Sequence, residues 1–134
     1  MAEQTTSKTL LVVSVNTDFA EQLELAPGLR EFDIFRARTN EQVISWFDRQ
    51  RIDIVFLDFE NFPPQEINLV DYIKRRSAHT EVVVFTTIHE LDMATTALRS
   101  GAALYLIKPV ATEDLRAVLK KLSGRLQRGE EYLE

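Results

Sequence analysis

Asp53-Ile54-Val55-Phe56-Leu57-Asp58 is the stretch that decides the fold. Four apolar residues without polar alternation are too few for a helix and suit a strand covered on both faces, as in a parallel sheet. Similar runs lie on either side. Leu10-Leu11-Val12-Val13 leads into Ser14-Val15-Asn16-Thr17-Asp18, Val82-Val83-Val84-Phe85 into Thr86-Thr87, and Leu104-Tyr105-Leu106-Ile107 into Lys108-Pro109. Helical patterns separate them, so four buried parallel strands are expected to deliver Ser14/Val15, Asp58, Thr86 and Lys108 to one sheet edge. That edge is where open α/β sheets bind their ligands.

The remaining elements follow from local signals. Strands are expected over 9–15, over a short stretch at Phe32, Ile34 and Phe35, over Ile52–Leu57, over Val82–Phe85 and over Leu104–Ile107. A helix from Thr17 to Leu25, capped by Thr17 or Asp18, ends at Pro27-Gly28. Thr39 or Asn40 caps a second, with Val43, Ile44 and Phe47 on its apolar face. Ile67, Val70 and Ile73 mark a third. Leu91, Ala94, Ala97 and Leu98 share one face of a fourth that stops at Gly101. Thr112 caps a fifth, with Leu115, Val118, Leu119 and Leu122 buried and Gly124 at its end. Five strands alternating with five helices make a doubly wound five-stranded parallel sheet of the α/β class.

Bulk properties narrow the function. The chain has 134 residues, a net charge of −5 and no cysteine. One domain is expected over 9–124, with a flexible lead-in at 1–8. Residues 125–134 are expected to be a charged tail or a linker to an output domain missing from the chain. The acidic balance argues against nucleic-acid binding by this domain. The lack of cysteine removes thiol and zinc-cysteine chemistry. No apolar stretch reaches membrane-span length and the N-terminus has no signal-peptide core, so a cytoplasmic protein is the default.

Several residues are candidates for chemistry. Asp58 is either a site carboxylate or a loop acid satisfying backbone N–H groups. Lys108 can reach over the sheet edge to an anion, and Lys108-Pro109 can form a cis turn, although an ordinary turn with a solvated lysine fits as well. Thr86 can donate to an oxyanion at the same edge, and Tyr105 can combine a packed ring with a surface hydroxyl. His79 and His89 fall at opposite ends of the fourth strand and share no site. Lys74-Arg75-Arg76 reads as a solvated helix end and Trp46 as a packing residue. No Gly-rich phosphate loop, G-x-S-x-G elbow or metal-binding helix motif is present.

Asp58, Thr86, Tyr105 and Lys108-Pro109, spaced through five βα units, resemble the receiver domain of bacterial two-component response regulators. The stretch Gly101-Ala102-Ala103-Leu104-Tyr105-Leu106-Ile107-Lys108-Pro109-Val110 is especially similar to that family's segment, and 53–58 resembles its phosphoacceptor strand. The resemblance implies a flavodoxin-like topology with strand order 2-1-3-4-5. It implies a phosphorelay role without enzymatic activity: Asp58 accepts a phosphoryl group from a histidine kinase, Lys108 contacts the phosphate, and Thr86 and Tyr105 form the switch pair. It also implies protein partners, a kinase or an effector, on the face of the fourth helix, fifth strand and fifth helix, with a homodimer there as one option.

The first strand departs from the pattern. Where the family places two adjacent acids that help bind Mg²⁺, this chain has Ser14 and Val15. Asp58, a backbone carbonyl near Glu60 and waters would hold the ion weakly or not at all. A bound metal contributes several kcal/mol to such chemistry, and each ~1.4 kcal/mol is about tenfold in rate. Asp58 and Lys108 are expected instead to form a near-neutral pair. The loop Phe59–Glu66, with Phe62 and Pro63-Pro64, is expected to be stiff and apolar. Three readings result: an atypical receiver acting by protein contact with impaired Mg-dependent phosphorylation, a working phospho-receiver at Asp58, or an unrelated flavodoxin-like enzyme or nucleotide-binding domain. The missing acids favour the first over the second, and the missing phosphate loop disfavours the third.

Overall fold

The apolar runs pair side by side in one parallel sheet, in the chain order second, first, third, fourth, fifth. The computed structural model describes residues 8–26, 28–60 and 68–132. The strands are β1 (Lys8–Val13), β2 (Phe32–Ala37), β3 (Ile54–Asp58), β4 (Glu81–Thr86) and β5 (Leu104–Ile107). The helices are α1 (Thr17–Glu24), α2 (Asn40–Arg49), α3 (Leu69–Arg76), α4 (Leu91–Arg99) and α5 (Thr112–Tyr132). Register is continuous through the centre: Leu10 lies opposite Ile54, and Ile54 opposite Glu81.

Two cores explain why β1, β3 and β4 carry apolar residues on both faces. Leu11, Val13, Val55, Leu57, Val82 and Val84 point one way, onto Val43 and Phe47 of α2, Val70 and Ile73 of α3, and Ala97 of α4. Leu10, Val12, Ile54, Phe56, Val83 and Phe85 point the other way, onto Ala20 and Leu23 of α1 and Leu115, Leu119 and Leu122 of α5. The period-2 geometry of a strand sends neighbours to opposite faces, so each strand serves both layers.

Several expectations need correction. β1 ends at Val13, two residues early, which leaves Ser14 and Val15 in the turn. Asn16, rather than Thr17 or Asp18, caps α1 by accepting from Phe19 N–H. Thr39 caps α2 as expected. β5 is not buried: as the sheet's outer strand it alternates between partly buried and exposed residues. Leu91 and Leu98 are likewise exposed, and only Ala94 and Ala97 of that stripe are buried, because α4 lies close to the sheet through small residues. α5 continues through Gly124 and Gly129 to Tyr132, since a glycine weakens a helix without necessarily ending it. Gly101 does follow the end of α4, at φ +117°. Ile67, Phe62 and Pro63-Pro64 lie outside the described residues.

Candidate functional site

The crevice lies at the carboxyl ends of β1 and β3, where the chain's direction of winding reverses. Asp58 ends β3 there, and its ladder runs one residue further through Phe59 N–H to Phe85 C=O at 3.1 Å. Its side chain is 1% exposed. Oδ2 receives two donors, the Lys108 ammonium at 2.8 Å and the Ser14 hydroxyl at 2.7 Å. Oδ1 accepts the Glu60 backbone N–H at 3.0 Å. A buried carboxylate needs such partners to remain charged.

Lys108 follows β5, and its N–H donates to Thr86 C=O at 2.8 Å, which sets where its side chain starts. The Lys108-Pro109 bond is cis, as the sequence allowed. The ammonium reaches Glu60 Oε1, also at 2.8 Å, and stands 3.9 Å from the centre of the Phe19 ring. Phe19 packs edge-on against Phe85, and Phe85 against Phe56. The lysine is thus seated on the end of an aromatic column rooted in the core. A cleft of about 770 Å³ opens beside it, with Phe19, Glu60, Lys108, Val110 and Leu115 among its lining residues.

The structure brings Ser14, Asp58 and Lys108 together and leaves the other candidates outside their network. Ser14 Oγ also accepts Asn16 N–H at 3.0 Å. Val15 is partly exposed and offers no side-chain oxygen. Thr86 is buried, but its hydroxyl donates to Glu90 C=O, at 3.0 Å, in the 3-10 turn before α4. Tyr105 is 39% exposed on the outer strand. The near-neutral pair expected of Asp58 and Lys108 is corrected by the Glu60 carboxylate: one ammonium serves two acids. The Glu60 carboxylate and the Phe19 ring are what sequence reasoning missed. Glu60 stands two residues after the strand-end acid, a position from which a side chain can turn back over the site, and that was the available signal. Nothing in the sequence marked Phe19.

The weaker candidates have structural roles. His79 and His89 lie at opposite ends of β4, as expected, and His79 Nε2 is 3.8 Å from Asp53. Asp53 itself is buried and accepts Thr9 N–H at 2.9 Å. Lys74 binds the carbonyls of Ala78 and Thr80, Arg75 pairs with Asp71, and Arg76 pairs with Asp48. Trp46 packs against Phe35 and donates to Arg36 C=O.

The family model for the response regulator receiver domain matches residues 10–120. The chain belongs to that family. Receiver domains are signalling domains of two-component response regulators rather than catalytic ones, which sets aside the unrelated flavodoxin-like enzyme. The chain is 31% identical over 109 residues to the response regulator protein PilR of Pseudomonas aeruginosa, covering 81% of this chain and 24% of that protein. It is 24% identical over 112 residues to the regulatory protein AtoC of Escherichia coli, covering 84% and 24%. The chain therefore spans about a quarter of the length of these relatives. Among solved structures it is similar to the REC domain of AraT, a response regulator from Geobacillus stearothermophilus (TM-score 0.83, 20% identity, 93% of this chain and 99% of that one). A response regulator from Thermotoga maritima gives a TM-score of 0.75 at 24% identity, covering 87% and 98%. These likenesses establish the receiver fold with its 2-1-3-4-5 sheet. No helix among the described residues is long and apolar enough to cross a membrane.

Proposed function

We propose that this receiver is atypical: it signals through protein–protein contact, and Mg-dependent phosphorylation at Asp58 is impaired. One observation carries the reading. Asp58 Oδ2 is already saturated by the Lys108 ammonium and the Ser14 hydroxyl. Mg²⁺ requires several oxygen ligands in near-octahedral array, with carboxylates among them. The donor set present does not fit that demand. Ser14 spends its hydroxyl on Asp58, Val15 has no ligand atom, and the Asn16 Oδ1 caps α1. Among the described residues no three His, Cys, Asp or Glu side chains are grouped to hold a metal.

In this reading Asp58 occupies the phosphoacceptor position, Lys108 the phosphate-contacting one, and Thr86 and Tyr105 the switch pair, held in a resting arrangement. The output face is the one formed by α4, β5 and α5. Leu91, Met93 and Leu98 of α4 and Tyr105 and Ile107 of β5 are exposed large apolar side chains on these elements, which suits a kinase, an effector or a second copy of the chain.

A working phosphoacceptor is the second reading. Asp58 Oδ1 accepts a single backbone N–H, so it retains a lone pair for attack on phosphorus. Backbone NMR during titration with beryllofluoride and Mg²⁺ separates the two. The atypical reading expects a flat response. Shifts centred on Asp58, Thr86 and Lys108 that vanish in Asp58→Asn would establish the second reading in its place.

A further inference from the structure

An ammonium has three N–H donors, and around Lys108 three partners face them. Asp58 Oδ2 and Glu60 Oε1 each lie 2.8 Å from Nζ, and the Phe19 ring covers a third side at 3.9 Å. These partners are not equally fixed. The Asp58 side chain is 1% exposed and Phe19 is packed on Phe85, whereas the Glu60 side chain is 38% exposed. Glu60 is the partner that can leave.

We propose that Glu60 is an internal competitor for the phosphoryl seat. Its carboxylate occupies the Lys108 donor that an oxygen of an incoming phosphoryl group needs, and so holds the site closed. The inference rests on the reading of Asp58 as phosphoacceptor. Two features of Glu60 suit this role. Its backbone N–H is anchored on Asp58 Oδ1 at 3.0 Å, which places the residue over the pair whatever its side chain does. Its charge adds to that of Asp58 against one ammonium, so a further anion meets a site that is already net negative.

The reaction that Glu60 opposes is a simple displacement. With acetyl phosphate as donor, Asp58 Oδ1 forms the new O–P bond and the P–O bond to the acetyl group breaks. Acetate leaves with the bonding electrons, and no proton is transferred. Lys108 follows by exchanging Glu60 Oε1 for a phosphoryl oxygen while keeping its place on the Phe19 ring.

The test compares wild type, Glu60→Gln, Asp58→Asn and the double variant. The glutamine keeps the length of the side chain and the backbone anchor but removes the charge. Each protein is treated with acetyl phosphate, with Mg²⁺ and with EDTA, and labelling is followed by intact-protein mass. In parallel, each is titrated with inorganic phosphate and followed by amide NMR. Glu60→Gln is expected to label about tenfold faster than wild type, the size of effect of one charge-assisted hydrogen bond. It should also show phosphate shifts around Lys108 at lower concentration. A Glu60→Gln protein that neither labels faster nor binds phosphate more tightly than wild type overturns the proposal. Tighter phosphate binding without label, or label that persists when Asp58 is replaced, keeps Glu60 as the competitor and removes Asp58 as the acceptor.

Discussion

Ser14 and Asp58 stand 44 residues apart in sequence and share a hydrogen bond of 2.7 Å. The bond ties the end of β1 to the end of β3 across the crevice of the receiver fold. It is made by Ser14, the first residue after β1, at the position where the proposed atypical reading has a lost acid. A second carboxylate at that point would repel Asp58; the hydroxyl instead donates to it. Ser14→Ala removes this donor from a nearly solvent-free carboxylate. The expected loss is about 1–2 kcal/mol, read as a lower urea midpoint at unchanged slope. A midpoint equal to wild type would mean that Lys108 and Glu60 N–H suffice.

On the atypical reading, placing acids at positions 14 and 15 should give the protein a metal response. In Ser14→Asp/Val15→Asp, two new carboxylates join Asp58 and Glu60 in competing for Lys108, and without metal the variant should melt below wild type. Adding Mg²⁺ should raise its melting temperature, because the ion relieves that repulsion, while wild type stays unchanged. Thermal scans in Mg²⁺ against EDTA check this, and an equal response in both proteins contradicts the account of Ser14 and Val15.

Lys108→Ala should be among the most damaging single changes at the site, because it strands a buried carboxylate. Loss of one partner of a buried pair costs about 3–5 kcal/mol. Asp58→Asn in the same protein should recover part of the loss, because the uncompensated charge is then gone. A double-mutant cycle on denaturant unfolding should return a coupling of about 1–3 kcal/mol. Additive losses would show that the two side chains are energetically independent despite their contact.

Gly101 carries a backbone constraint that no other residue relieves cheaply. It sits at φ +117°, and an added Cβ would lie 2.9 Å from Lys74 Cγ. Lys74 has little room to retreat, since its ammonium binds the carbonyls of Ala78 and Thr80. Gly101→Ala should cost more than about 1 kcal/mol, with the loss visible in calorimetry. A neutral result would show that the α4–β5 turn can adopt another conformation.

The exposed apolar residues of α4 and β5 predict a separation of stability from association. Leu98 is exposed, so Leu98→Glu should leave the unfolding free energy within about 0.5 kcal/mol of wild type. It should weaken self-association or partner binding at this face, measured by analytical ultracentrifugation or titration calorimetry. Unchanged association would place the working surface elsewhere.

The legible part of this protein was its strands. Val55 and Val84 on one face and Phe56 and Val83 on the other announce burial on both sheet faces, and that requirement dictates helices on both sides and a parallel ladder. Element ends were less legible. Asn16 takes the cap of α1 because β1 stops at Val13, and α5 continues past Gly124, where local propensity suggests a stop. β5 reads as apolar as the central strands, but an outer strand has one neighbour instead of two, and Tyr105 and Ile107 remain exposed.

The sequence by itself determined the α/β order and the residues that arrive at one sheet edge, Ser14 and Val15 among them. These follow from periodicity and position, which are local properties. Only the tertiary structure decided how the arriving groups are shared. It put the Ser14 hydroxyl and the Lys108 ammonium on the same oxygen of Asp58, turned Glu60 back onto that ammonium, and slid the Phe19 ring beside it. Hydrogen bonds are directional and act over about 3 Å, so which donor meets which acceptor depends on side-chain placement that no spacing along the chain encodes.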